Sequence, residues 1–279
     1  MHAIHSLWSK PRISATGALY VEDFDILTTI LSALKWREKN GTISMITDTD
    51  GYNFYKSRNL IPLWDEITCD LDNIPKWVNE DVFWAGGKIF ALNGVKSPVA
   101  TIDTDFIVWD KLAFSNLPDL TVIHSEKLNP DIYPDMGYFK TNDGYMFNPK
   151  WDWHINPFNT AFTVIKNETF KEAYCRNAID FIKNADGDDT LTYMVFAEQR
   201  LMAMTAKEMN IQTREISTME NLFRDGERYF THTWGMKQQM REMKALRNDF
   251  CRKCIRRISD DYPEFVSVLK NIPELKEYF

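Results

Sequence analysis

Residues 98–110 read Pro-Val-Ala-Thr-Ile-Asp-Thr-Asp-Phe-Ile-Val-Trp-Asp: an apolar run, an Asp-x-Asp step, then a second apolar run. In an extended chain, side chains two apart share a side, so Asp103 and Asp105 point together while Ile102 and Thr104 point the other way. Two carboxylates converging at a strand end repel each other unless a cation sits between them, and oxygen ligation of that kind suits Mg²⁺ or Mn²⁺. The plainer alternative is a strand end whose Asp residues cap and turn. The motif alone does not decide between the two.

What precedes it alternates strand and helix. Residues 2–8 alternate like a short first strand, and Ser9-Lys10-Pro11-Arg12 reads as a polar, turn-forming loop after it. Phe24, Leu27, Leu31 and Leu34 recur at helical spacing behind acidic Glu22 and Asp23. Strands follow at 42–47 and 64–68, separated by the turn sequence Asp48-Thr-Asp-Gly51, and a helix over 81–92 carries Gly86-Gly87, a pair suited to close packing. With the Asp-x-Asp strand after it, this pattern predicts an α/β fold: a mixed, mostly parallel, Rossmann-like sheet flanked by helices. Ligands bind at the carboxyl ends of strands in such sheets, which is where Asp103 and Asp105 are expected.

Downstream, regularity fades from 125 to 157, where six Pro or Gly residues punctuate a stretch holding Tyr133, Tyr138, Tyr145, Trp151, Trp153 and His154. A long aromatic loop segment reads as an acceptor-side surface, or as rings packing a secondary core beneath the loops. A strand at 158–165 and a helix begun by Asn167 come next. The sequence 184–189 lacks the later ligands of a calcium loop and reads as a turn and helix cap. On the helix at 190–206, Glu198 interrupts an apolar stripe, so it is either used or hydrogen-bonded to its surroundings.

Composition narrows the partners. A net charge of −7 argues against nucleic acid as a partner, since phosphate neutralisation needs a basic face. Cys69, Cys175, Cys251 and Cys254 form no disulfide framework, and no apolar run approaches the ~20 residues needed to span a bilayer, so a cytoplasmic setting is expected. The tail from Met236 reads as a helical extension, residues 236–279 packed on a domain over 1–235, with Met236, Met240, Met243, Phe250 and Ile258 inward. Its cations form a basic surface: either a solvated helix face or a dock for an anionic membrane at its inner face or a phosphate-bearing acceptor.

In order, the chain presents Asp103-Thr-Asp105, then Phe158-Asn159-Thr-Ala-Phe, then Glu198-Gln199, then His232-Thr-Trp-Gly235-Met-Lys237. This order resembles the nucleotide-sugar glycosyltransferases of GT-A fold, particularly glycosyltransferase family 8. The acceptor strand departs from that pattern at Thr160-Ala161, the Asp-Gln step begins with Glu198, and the His-to-Lys segment is one residue short. The resemblance implies a metal-dependent, retaining hexosyltransferase that takes a nucleotide-diphospho-sugar such as a UDP-sugar to a glycan, lipid-linked or other hydroxyl acceptor. It implies Mn²⁺ or Mg²⁺ on Asp103, Asp105 and His232, with the phosphates against Lys237, the Gly235 backbone and Thr104. Asn159, Glu198 and Gln199 would lie beside the donor sugar as catalytic residues.

A nucleotide pocket lined by His5, Leu7, Trp8 and Asp48 is expected at the ends of the first two strands, with Trp8 offering a stacking face and Asp48 an acceptor. Two rival readings stand beside this one: a phosphatase-like hydrolase that uses Asp-x-Asp as nucleophile and acid/base, and a carbohydrate-binding protein without turnover.

Overall fold

The computed structural model describes residues 1–224 and 228–279. Its first part runs β1 (His2–Leu7), α1 (Lys10–Thr16), α2 (Asp23–Lys39), β2 (Ile43–Thr47), α3 (Thr49–Ser57), β3 (Glu66–Thr68), α4 (Gly86–Gly94), β4 (Val99–Ile102) and β5 (Phe106–Val108). Next come β6 (Leu120–Ser125), β7 (Phe158–Ile165), α5 (Glu168–Asn184), α6 (Thr190–Val195), a π turn over Phe196–Arg200 and α7 (Leu201–Glu208). The chain closes with β8 (Thr213–Glu215), α8 (Met219–Leu222), β9 (Phe230–His232), α9 (Lys237–Glu242), α10 (Lys244–Asp261) and α11 (Val266–Asn271).

Seven strands form one sheet in the order β3-β2-β1-β4-β7-β6-β8. All run parallel except β7, which lies antiparallel between β4 and β6. The α/β class and the mostly parallel sheet are those expected from the sequence. Strands covered on both faces read as near-continuous apolar and β-branched runs rather than alternating ones. Accordingly β2, β4 and β7 are buried throughout.

Alternation sorts their side chains into two cores. Ala3, Met45, Ala100 and Phe162 meet α2, α3 and the C-terminal helices on one side. Ile4, Ile46, Val99 and Val122 meet α4, α5 and α7 on the other. The extension is part of the first core: Met240, Cys251, Cys254, Ile258, Leu269 and Leu275 are buried against α2. Arg247 pairs with Glu22 and Asp23, and Arg58 with Glu274, which fixes the extension at both ends.

Several local expectations are corrected. The polar loop after β1 is α1, with Pro11 in its first turn, where the missing N–H costs nothing. Asp48 is not simply a turn residue but the N-cap of α3, accepting from the Gly51 amide at 2.9 Å. Helix α4 starts at Gly86 rather than near residue 81, and β6 and the exposed β8 lie where no strand was read. Met243, expected inward, is exposed.

The rings of the 133–154 segment go largely to the core. Phe139, Phe147, Trp151 and Trp153 cluster with Phe181 and Phe196, and Tyr133 is buried, whereas Tyr138 stays half exposed. All four cysteines are free thiols. Among the described residues no helix is long and apolar enough to cross a membrane.

Candidate metal centre

The Asp-x-Asp step lies at the carboxyl end of β4, as expected, but as a turn rather than as extended chain. Asp103 N–H donates to Ala161 O at 2.8 Å, extending the β4–β7 ladder by one residue, and Phe106 N–H closes back on Asp103 O at 2.9 Å. The chain then leaves the main sheet as β5 and pairs antiparallel with β9, with Phe106 opposite His232. Phe106 stacks on Phe162 of β7, and its carbonyl accepts from Ser32 of α2 at 2.6 Å, so this two-stranded ribbon is anchored to both sheet and helix. The turn presents both carboxylates, and the ribbon brings the imidazole to them. One ligand atom each from Asp103, Asp105 and His232 lie within 4.8 Å of one another.

Each carboxylate also faces a lysine. Lys88 of α4 lies 2.5 Å from Asp103 and 2.5 Å from Glu198. Lys237 lies 2.9 Å from Asp105 and 3.0 Å from Asp25 of α2. His232 Nε2 stands 3.8 Å from Asp105 Oδ1, whereas Lys237 holds Oδ2, so the two oxygens of Asp105 face different partners.

These surroundings set the charges. Burial pushes the Asp103 carboxyl up to about 7, with Lys88 pulling the other way and Asp105 and Glu198 adding repulsion. Burial acts on Asp105 too, but Lys237 and His232 together bring it below the usual carboxylate range. Burial lowers His232 to about 4, so near neutral pH its imidazole is uncharged and offers a lone pair. Burial opposes the charge of Lys237, yet Asp105 and Asp25 raise its pKa, and it stays an ammonium.

The donor set fits a divalent cation. Two carboxylates and a neutral imidazole suit Mn²⁺ better than Mg²⁺ or Ca²⁺. One atom from each of the three residues would hold the ion, since these atoms lie within 4.8 Å of one another.

The other expected site residues divide into two groups. Glu198 lies at the centre, accepting from Thr160 Oγ1 at 2.6 Å, and its backbone carbonyl takes the Tyr174 hydroxyl at 2.9 Å. Gln199 sits beside it on the π turn, a local insertion of the kind often found at functional sites. Asn159 and Gln199 meet one polar group: Asn159 donates to Glu126 at 2.8 Å, and the Tyr133 hydroxyl lies 2.6 Å from Gln199 and 2.9 Å from Glu126. Thr104 is half-buried in the turn, and Gly235 lies exposed beside Phe223, two residues before Lys237.

The second group is the proposed nucleotide lining. His5 is fully buried between Ser32 at 3.0 Å and the Trp64 indole N–H at 3.1 Å, and burial lowers its pKa to about 3. Trp8 is buried against Gly87 of α4, and Leu7 lies in the core on the other face of the sheet. Both Asp48 oxygens are taken, by the Ser9 and Gly51 amides. The structure therefore does not bring these residues to an open surface.

Sequence reasoning missed Lys88, Asp25 and Glu126, and read Tyr133 only as one ring of the aromatic loop segment. Only Lys88 had a local signal: it follows the Gly pair, and a Cβ on Gly87 would stand 2.5 Å from the Trp8 Cβ, so glycine is what lets α4 approach closely enough to aim the lysine.

A family model described as a family of unknown function (DUF6734) matches residues 1–272. No curated protein matches the chain. Among solved structures, similar ones include mouse xyloside xylosyltransferase 1 in its apo form, at 10% identity and TM-score 0.42 over 83% of this chain and 96% of that one. The PaToxG glycosyltransferase is similar at 11% identity and TM-score 0.44, over 99% and 85%. An active-site mutant of LgtC is similar at 9% identity and TM-score 0.37, over 80% and 74%.

Proposed function

We propose that this chain, which belongs to the DUF6734 family, is a metal-dependent glycosyltransferase that moves a sugar from a nucleotide-diphospho-sugar to a hydroxyl acceptor on a glycan or lipid-linked carrier. The observation that carries the reading is the convergence of Asp103 and Asp105 with His232, which the β5–β9 ribbon brings back from more than a hundred residues away. Asp103, Asp105 and His232 would hold Mn²⁺ or Mg²⁺, which supplies a Lewis acid for the departing diphosphate. Lys237 uses two of its three donors on Asp25 and Asp105, leaving one for a phosphate oxygen. Lys88, between Asp103 and Glu198, places a second fixed positive charge beside the cleft.

The donor sugar is assigned to the Asn159–Glu126–Tyr133–Gln199 group, whose amides and carboxylate offer hydroxyl partners. Retention of configuration is the outcome we favour. Glu198 is engaged by Lys88 and Thr160, so it does not stand free as a general base for inversion.

The test is hydrolysis of a panel of nucleoside diphosphate sugars with and without Mn²⁺. Metal-dependent release of the nucleoside diphosphate is expected for one donor class. Release of phosphate from simple phosphomonoesters, or no nucleotide binding by thermal shift, would overturn the assignment.

A further inference from the structure

Each lysine at the centre is shared between one member of the Asp pair and one carboxylate outside it: Lys88 between Asp103 and Glu198, Lys237 between Asp105 and Asp25. Glu198 has other work, accepting from Thr160. Asp25 has less. It is buried in the first turn of α2, and apart from the Lys237 ion pair its Oδ1 has no hydrogen-bond partner among the described residues. A buried carboxylate is costly to keep unless it is paired, and the pairing that Oδ1 has is the Lys237 ammonium at 3.0 Å, so the role of Asp25 is tied to that lysine.

Charge supplies one. Were Lys237 bound to Asp105 alone, and Lys88 to Asp103 alone, the two lysines would cancel the pair and leave nothing for a cation. With Asp25 and Glu198 present, four carboxylates face two ammonium groups, a formal charge of −2 that one divalent cation neutralises.

We propose that Asp25 is a positioning residue of the metal centre: by holding the Lys237 ammonium it prevents that lysine from neutralising Asp105. It thereby keeps the Asp pair available to a divalent cation while Lys237 stays poised beside it. The geometry suits the role. Lys237 touches Oδ2 of Asp105, and Oδ1 is the oxygen that faces His232, so lysine and cation need not compete for one atom. This inference rests on the metal reading given under the proposed function.

Mn²⁺ titration without nucleotide, read by the electron paramagnetic resonance of the free ion, tests it apart from turnover. Asp25→Asn keeps the shape and removes the charge, and is expected to weaken Mn²⁺ binding about tenfold or more, as loss of an outer partner commonly does. Asp25→Glu should restore affinity to within about threefold. In a Lys237→Met background, where Asp25 has no ammonium to hold, Asp25→Asn should have a clearly smaller effect.

An unchanged Mn²⁺ affinity in Asp25→Asn overturns the proposal, as does an equal effect in both backgrounds or an Asp25→Glu variant as weak as Asp25→Asn. Should Asp25→Asn not fold, Asp25→Ser carries the same comparison. Absence of Mn²⁺ binding by the wild-type chain would instead remove the metal reading itself, and this inference with it.

Discussion

At the scale of single residues, Asp105 and His232 are the sharpest points of test. Asp105→Asn is expected to abolish Mn²⁺-dependent donor cleavage. It should also destabilise the fold by about 1–3 kcal/mol, because Lys237 is then left with Asp25 alone. His232→Ala should lose the same cleavage. Full metal-dependent activity in either variant would sink the assignment. His5 offers a test of burial rather than chemistry. Its folded pKa lies near 3, below the ordinary value of 6.5, so on acidification the unfolded chain takes up a proton that the folded chain refuses. The associated stability is complete above pH 6.5 and is lost as pH falls from there toward 3, by about 2 kcal/mol at pH 5. Urea unfolding of wild type and His5→Asn should therefore show their stability difference shrinking by about that amount between pH 7 and pH 5. A constant difference would refute it.

What was legible at this scale follows from chain separation. Asp103 and Asp105 announce themselves because they are near neighbours in sequence. His232 was reachable only through the order of four motifs. Asp25 gives no signal, because an acid in the first turn of a helix already has an ordinary local explanation. Its partner Lys237 lies two hundred residues away.

At the scale of elements, the close approach of α4 to β1 is the hinge of the arrangement. Gly87→Ala would drive a methyl into the Trp8 Cβ, and both atoms sit on backbone-fixed positions that cannot rotate aside. A loss of about 1–3 kcal/mol is expected, with a fall in metal-dependent turnover as Lys88 moves from Asp103. Gly94→Ala, at the other end of the same helix, has open space around it and should leave both properties unchanged. Thermal melts and turnover of the two variants make the comparison, and equal behaviour would show that the contact is not what positions Lys88.

The strands buried on both faces were readable because they are short runs rich in apolar and β-branched residues. The π turn was not, since one extra residue in a helix shifts the register without altering composition, and Glu198 and Gln199 lie on that turn. Helices α1 and α3 were read as loop and turn because Pro, Asp and Ser serve both turns and helix starts.

At the scale of the whole molecule, the boundary placed at residue 235 separates His232 from Lys237, two parts of one centre. The extension also covers α2, with Cys251, Cys254 and Ile258 in the same core as Phe24, Leu27 and Leu31. A chain ended after Gly235 is accordingly expected to lose cooperative thermal unfolding, followed by circular dichroism. A truncated chain that melts sharply near the wild-type temperature would show that the extension is dispensable for the fold. Much of the basic surface read from the tail is engaged in ion pairs, most of them exposed: Arg241 and Arg247 meet Glu22, Lys244 meets Glu277, Lys253 meets Asp249 and Arg257 meets Asp261. Arg252, Arg256, Lys270 and Lys276 are the tail cations without an ion pair among the described residues.

The ribbon that joins Phe106 to His232 also sets a schedule. At the ~5–20 residues per second of protein synthesis, the two strands leave the ribosome on the order of ten seconds apart. Throughout that interval the Asp pair exists without its imidazole and without Lys237, while Lys88 is already made. The growing chain thus carries an acidic turn with one lysine for two carboxylates, and the cation site proposed above is complete only once the last fifth of the chain has emerged.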